Sequence, residues 1–225
     1  MIILLGSSIL FSLKSYLSEE FYVVAKKGGT LDFDWFAKEL KSLDGKVVDK
    51  VVLCLLGGND IWNGRLVRRK GQIHYHLGGE KLSIAEICNK YWVLYQKLKE
   101  LFPKAKVQFV TPLCRRPFDG MFPTLNSKKC GQCLTFKGFS DLVQLEWNLK
   151  QRFSDTDCQI EKVQKLHKAL FLSLGYTEHW VRENGSNQKN WQLVYKEILA
   201  QDQIHLSQRG KKIVSDYINA HLIQK

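Results

Sequence analysis

Val47-Val48-Asp49-Lys50-Val51-Val52-Leu53-Cys54-Leu55-Leu56, followed at once by Gly57-Gly58-Asn59-Asp60, is the most strand-like stretch of this 225-residue chain. Valine and leucine dominate it, and such a run suits a strand covered on both faces. The glycine pair stops it. Working outward, Ile2-Ile3-Leu4-Leu5, ended by Gly6, is a shorter strand of the same kind. Residues 21–24 and 106–110 read as further strands, the latter closed by Thr111-Pro112. Residues 176–181 are read as the fifth. Helical spacing lies between them: residues 8–19 through Leu10, Leu13 and Leu17; residues 31–43 through Phe33, Phe36, Leu40 and Leu43; and residues 84–101. Residues 139–153, 160–174, 190–200 and 207–222 also read as helices, the last with Ile213, Tyr217 and Leu222 on one face. Residues 114–138, with Pro117, Pro123 and three cysteines, read as an irregular loop. Strands alternating with helices at this spacing predict an α/β fold with a central, mostly parallel five-stranded sheet.

With 44% hydrophobic residues the chain can bury a full core, and its length suits one domain over residues 1–225. Insertions are expected at about 61–82 and 113–138. Six cysteines at irregular spacing give no disulfide framework and read as reduced thiols. The apolar start lacks a basic leader and is too short to span a membrane. An intracellular protein, cytoplasmic or nuclear, without a transmembrane segment is therefore expected. Lysine plus arginine number 34 against 22 acidic residues, a formal net charge of +12 and a pI near 9.4. Such a surface attracts nucleic acid or another polyanion, or serves solubility alone.

Four separated pieces carry chemistry: Gly6-Ser7-Ser8-Ile9, Gly28-Gly29-Thr30, Gly57-Gly58-Asn59-Asp60 and Asp202-Gln203-Ile204-His205-Leu206. The first three follow strands, so they converge on the C-terminal edge of the sheet, where open parallel sheets hold their ligands. Taken alone, each has a plain structural reading: Gly-Ser-Ser is a helix cap, Gly-Gly a turn, and Asn-Asp an Asx-turn. In this order they resemble the SGNH hydrolases, also called the GDSL esterase/lipase family. The resemblance runs from residue 2 to about residue 220.

The resemblance implies a three-layer α/β/α flavodoxin-like sandwich and a serine ester hydrolase acting on a small acyl ester, such as an acetyl ester. It puts Ser8 in the nucleophile position, with Ser7 standing where the family usually has aspartate. Ser7 is the fallback nucleophile. His205 is the implied base and Asp202 the carboxylate that orients it. The implied oxyanion hole consists of Ser8, Gly28 and Asn59, with Gly29 the alternative to Gly28. No cofactor and no metal are required. The other histidines, His74, His76, His167, His179 and His221, read as solvated or packing residues.

Residues 65–76 read as a hairpin turned at Lys70-Gly71, beside the catalytic edge. Asp60, Arg65, Arg68 and Arg69 are expected at the substrate. The runner-up function is a nucleic-acid-associated SGNH-like domain, retroelement-derived for example, in which binding matters more than turnover. Cys130-Gly131-Gln132-Cys133 with Cys114 upstream invites a zinc reading. Its partners would have to come from Cys158, His74 or His76, so a surface thiol pair is the simpler expectation. Oligomeric state is not legible.

Overall fold

The structure, a computed structural model, describes residues 1–61, 64–69, 72–77, 82–113, 138–200 and 205–223. Its strands are β1 (Ile2–Gly6), β2 (Phe21–Ala25), β3 (Lys50–Cys54), β4 (Gly64–Arg69), β5 (Gln72–Leu77), β6 (Lys106–Val110) and β7 (Gln159–Ile160). Its helices are α1 (Ser8–Leu13), α2 (Ala37–Lys41), α3 (Gly58–Ile61), α4 (Ile84–Leu101), α5 (Gly138–Arg152), α6 (Val163–Ser173), α7 (Glu178–Asn184), α8 (Gln188–Ile198) and α9 (Gln208–Leu222).

Five strands form one sheet in the order β2-β1-β3-β6-β7, and every pairing in it is parallel. With its flanking helices this makes a three-layer α/β/α sandwich. Strands covered on both faces need continuous apolar runs. Accordingly Ile3, Leu4 and Leu5 of β1 and Val51, Val52 and Leu53 of β3 are all buried in succession. The chain leaves β1 toward β2, then crosses back over β1 to reach β3. That reversal opens a crevice beyond the C-terminal ends of β1 and β3. The register puts Leu5 level with both Val24 and Leu53, so the segments after β1, β2 and β3 emerge together at this edge.

β3 is shorter than its apolar run. Val47 is 80% exposed and precedes the sheet. Leu55 takes φ +56°, a left-handed backbone that leucine seldom adopts, although its N–H still donates to Val110 O at 3.1 Å. The chain therefore bends away from the sheet before the glycine pair. Two helices expected from periodicity are shorter too. After α1 a 3₁₀ turn, Lys14–Tyr16, replaces the rest of residues 8–19. Residues 31–43 divide into a 3₁₀ turn at Phe33–Trp35 and α2, with Phe36, Leu40 and Leu43 buried as the spacing requires.

The fifth strand is not residues 176–181. Thr177 caps α7 there by accepting from the Trp180 N–H, and the Tyr176 ring lies tilted against Trp180 with ring centroids 4.5 Å apart. The edge strand is β7, which pairs with β6 through Gln108↔Gln159 and Phe109↔Ile160. β4 and β5 form the expected hairpin, antiparallel with Arg69 opposite Gln72. Its turn and residues 114–137, including Cys114, Cys130 and Cys133, lie outside the described residues. Among the described residues no group of His, Cys, Asp and Glu could hold a metal, and no helix is long and apolar enough to cross a membrane.

Candidate active site

β1 ends at Gly6, and the chain turns straight into α1. Ser7 is the N-cap residue, extended at φ −98° and ψ −156°, 1% exposed, and its side chain makes no capping bond. Ser8 begins the helix and is half-buried. Backbone N–H groups in the first turn of a helix have no intrahelical partner. The Ser8 N–H is one of them, beside its own side-chain oxygen.

The segment after β2 folds against this turn. The Lys26 N–H donates to Gly6 O at 3.2 Å, and the Gly29 N–H donates back to Lys26 O at 3.1 Å. The Gly29 donor is thus engaged. Gly28 sits between them at φ +73°, a conformation that glycine adopts without steric cost. Among the described residues its N–H has no bonding partner.

After β3, the Asn59 side-chain amide donates to Gly29 O at 2.6 Å. One of its two amide hydrogens is used in that bond. Asp60, expected at the substrate, is placed otherwise. Its side chain is 1% exposed; one carboxylate oxygen accepts from the Leu31 N–H at 2.9 Å and the other pairs with Lys90 Nζ at 2.9 Å. Asp60 therefore holds the loop after β2 to α4, and the reason is burial: a carboxylate out of water needs such partners. Tyr91, fully buried on α4, donates to Leu56 O at 2.8 Å and supports the same turn.

His205 comes from the other end of the chain, on the link between α8 and α9. Its carbonyl accepts from the Ala200 N–H at 2.8 Å, Leu206 bridges Leu199, and the Ser207 N–H donates to Ile198 O at 2.8 Å. Ser207 caps α9 by accepting from the Gly210 N–H at 3.0 Å. Leu206 is buried, so the exposed imidazole stands on an anchored backbone.

These pieces meet in one open cleft of about 540 Å³, lined by Ser8, Phe11, Ser12, Lys27, Gly28 and His205. Ser7 and Gly29 do not line it. Asn59 is not among its lining residues and bonds to the Gly29 carbonyl, next to the lining Gly28. Asp202 lies outside the described residues, and Arg65, Arg68 and Arg69 belong to the backbone of β4. Three lining residues escaped the sequence reading. Phe11 and Ser12 follow Ser8 by three and four positions, which puts them on its face of α1. Lys27 immediately precedes Gly28, and its Nζ stands 5.4 Å from the centre of the Phe11 ring.

No protein-family model matches the chain, and no curated protein does. Solved structures do. A protein from Streptococcus pneumonia, described provisionally as a platelet activating factor, is 16% identical, covers 98% of this chain and 83% of its own, and has a TM-score of 0.58. An acetyl xylan esterase is 17% identical over 99% of this chain and 100% of its own, with a TM-score of 0.56. A catalytic mutant of an acetylxylan esterase from Geobacillus stearothermophilus is 14% identical over 100% of this chain and 94% of its own, with a TM-score of 0.52. The chain has the fold of these proteins. At such identities the likeness concerns the backbone and leaves the chemistry to the side chains named above.

His167 is not part of the cleft. It is fully buried, its Nδ1 lies 2.7 Å from Val163 O and its Nε2 3.2 Å from the Tyr195 hydroxyl, and it stacks on Trp191 at 3.9 Å between ring centres. Burial lowers its pKa to about 4. The backbone carbonyl fixes the proton on Nδ1, so the neutral ring donates there and accepts from tyrosine.

Proposed function

We propose that the chain is an SGNH-type serine ester hydrolase acting on a small acyl ester, an acetyl ester being the natural first candidate. The observation that carries this reading is the cleft, which joins Ser8 and Gly28 to His205, a residue nearly two hundred positions away. A nucleophile, a base and main-chain donors at one opening are what acyl transfer needs.

In this reading Ser8 Oγ attacks the ester carbonyl while His205 takes its proton, and Asp202 orients the imidazole and stabilises its charged form. The carbonyl oxygen becomes an oxyanion facing the N–H groups of Ser8 and Gly28 and the Asn59 amide. The free Gly28 N–H favours it over Gly29, whose N–H is bonded to Lys26 O. Collapse of the tetrahedral intermediate breaks the ester bond, and His205 protonates the leaving alcohol. Water then attacks the acyl-serine with His205 again as base, which releases the acid and restores Ser8. The half-buried, cleft-lining Ser8 is preferred to the buried Ser7 as the nucleophile.

The test is covalent labelling with a fluorophosphonate, mapped by peptide mass spectrometry. Modification at Ser8 supports the assignment. Absence of labelling, or labelling at another serine, overturns it.

A further inference from the structure

The cleft holds a positive charge that ester chemistry at Ser8 does not require. Lys27 lies in the turn between β2 and Gly28, and its backbone is held on both sides by the bonds from Lys26 to Gly6 and from Gly29 to Lys26. Its ammonium is held at the other end, 5.4 Å over the Phe11 ring. A lysine stem in water is flexible, and a ring face beneath the ammonium restricts where the charge sits. Phe11 is itself 46% exposed and lines the same cleft one helical turn from Ser8. No carboxylate neutralises this ammonium among the described lining residues.

We infer that Lys27 is a specificity-determining residue that selects esters bearing an anionic group, a carboxylate or a phosphate, on the part of the substrate lying against Phe11. This rests on the ester-hydrolase reading above. The ring supplies apolar ground for the carbon skeleton between ester and anion, and the ammonium supplies the counter-charge. Because the ammonium is solvent-exposed, the selectivity it confers is modest, about two- to fivefold.

The experiment compares kcat/KM for anionic 4-acetoxybenzoate with that for neutral 4-acetoxybenzamide, in the wild type and in Lys27→Arg, Lys27→Gln and Lys27→Glu. The expected result is an anionic-to-neutral ratio that is kept by Arg, falls about two- to fivefold with Gln and falls further with Glu. The differences should shrink at about 1 M salt, where the Debye length is about 3 Å. Equal ratios in all four proteins, or an Arg variant that behaves like Gln, would overturn the inference. If neither aryl acetate is hydrolysed by the wild type, the ester-hydrolase reading fails, and a readout without turnover decides Lys27. Titrating 4-hydroxybenzoate should shift the Gly28 amide resonance of ¹⁵N-labelled wild type with a midpoint about two- to fivefold below that of Lys27→Gln. A shift absent from the wild type, or a midpoint equal in both, sinks the proposal.

Discussion

Two adjacent serines have different fates, which makes the first test a single-atom one. Ser8→Ala should remove hydrolysis of short p-nitrophenyl esters, by on the order of a millionfold for a nucleophile that acts as a unit with its base. Ser7→Ala should keep a substantial share, because Ser7 lies outside the cleft and makes no capping bond. Equal loss in both would mean the wrong serine was chosen. His167 supplies a second residue-scale expectation. Its folded pKa of about 4 lies below the ordinary histidine value, so the unfolded chain takes up the proton first as pH falls. The stability due to the neutral ring is therefore complete above about pH 6.5 and is lost progressively down to about pH 4, at no more than about 1.4 kcal/mol per pH unit. Urea midpoints of the wild type should fall across that window, and His167→Gln, though less stable at pH 7, should show a flatter dependence. Parallel curves would contradict the assignment. The Gly-x-Asn-Asp motif was legible in the sequence as a unit, and both its asparagine and its aspartate bond to the loop after β2. The role of Asp60 depends on Lys90, thirty positions on, and no local pattern announces that pairing.

The join between α8 and α9 is the most exacting contact between elements. A Cβ built on Gly210 would lie 1.9 Å from Ile198 O, so the start of α9 rests directly on the end of α8. Gly210→Ala should push the two apart, weaken the Ser207–Ile198 bond and move His205. A cost of about 1–3 kcal/mol is expected from overpacking of this kind, with a loss of esterase activity measured while the variant is still fully folded. Wild-type activity in folded Gly210→Ala would show that the join does not position the histidine. The elements also show where sequence reading runs out. The strands β1 and β3 were legible because continuous apolar runs suit a strand covered on both faces of a parallel sheet. β7 has two residues and therefore no periodicity; its existence is decided by the exposed edge of β6. Residues 176–181 carry aromatic and apolar side chains that suit either period, and the Thr177 cap settles the matter.

At the scale of the whole molecule, a formal net charge of +12 acts on any partner before contact is made. If a polyanion is among those partners, the protein should retard single- or double-stranded nucleic acid at low ionic strength with little regard to sequence, and binding should weaken steeply with salt as counterions are released. Joint replacement of Arg65, Arg68, Arg69 and Lys70 by Gln should lower both affinity and salt slope. No retardation by the wild type at low salt would assign the charge to solubility. The fold was legible at this scale from the alternation of strands and helices, whereas the cleft was legible only in part. Phe11 and Lys27 enter it through the way α1 is seated on the sheet, which the order of residues does not state.

The cleft joins Ser8 to His205, nearly two hundred positions later, and this has a consequence in time as well as in space. On a translating ribosome Ser8 is made nearly two hundred residues before His205. The β1–β2–β3 part of the sheet can form while the rest is still being made, but it then carries a serine without its base. Nascent or prematurely terminated chains would therefore be hydrolytically silent in the proposed reaction, whatever local order they had reached. Turnover becomes a readout that α9 has docked, and pulse-labelled chains should acquire it abruptly, once α9 has emerged and docked, and not in proportion to their length.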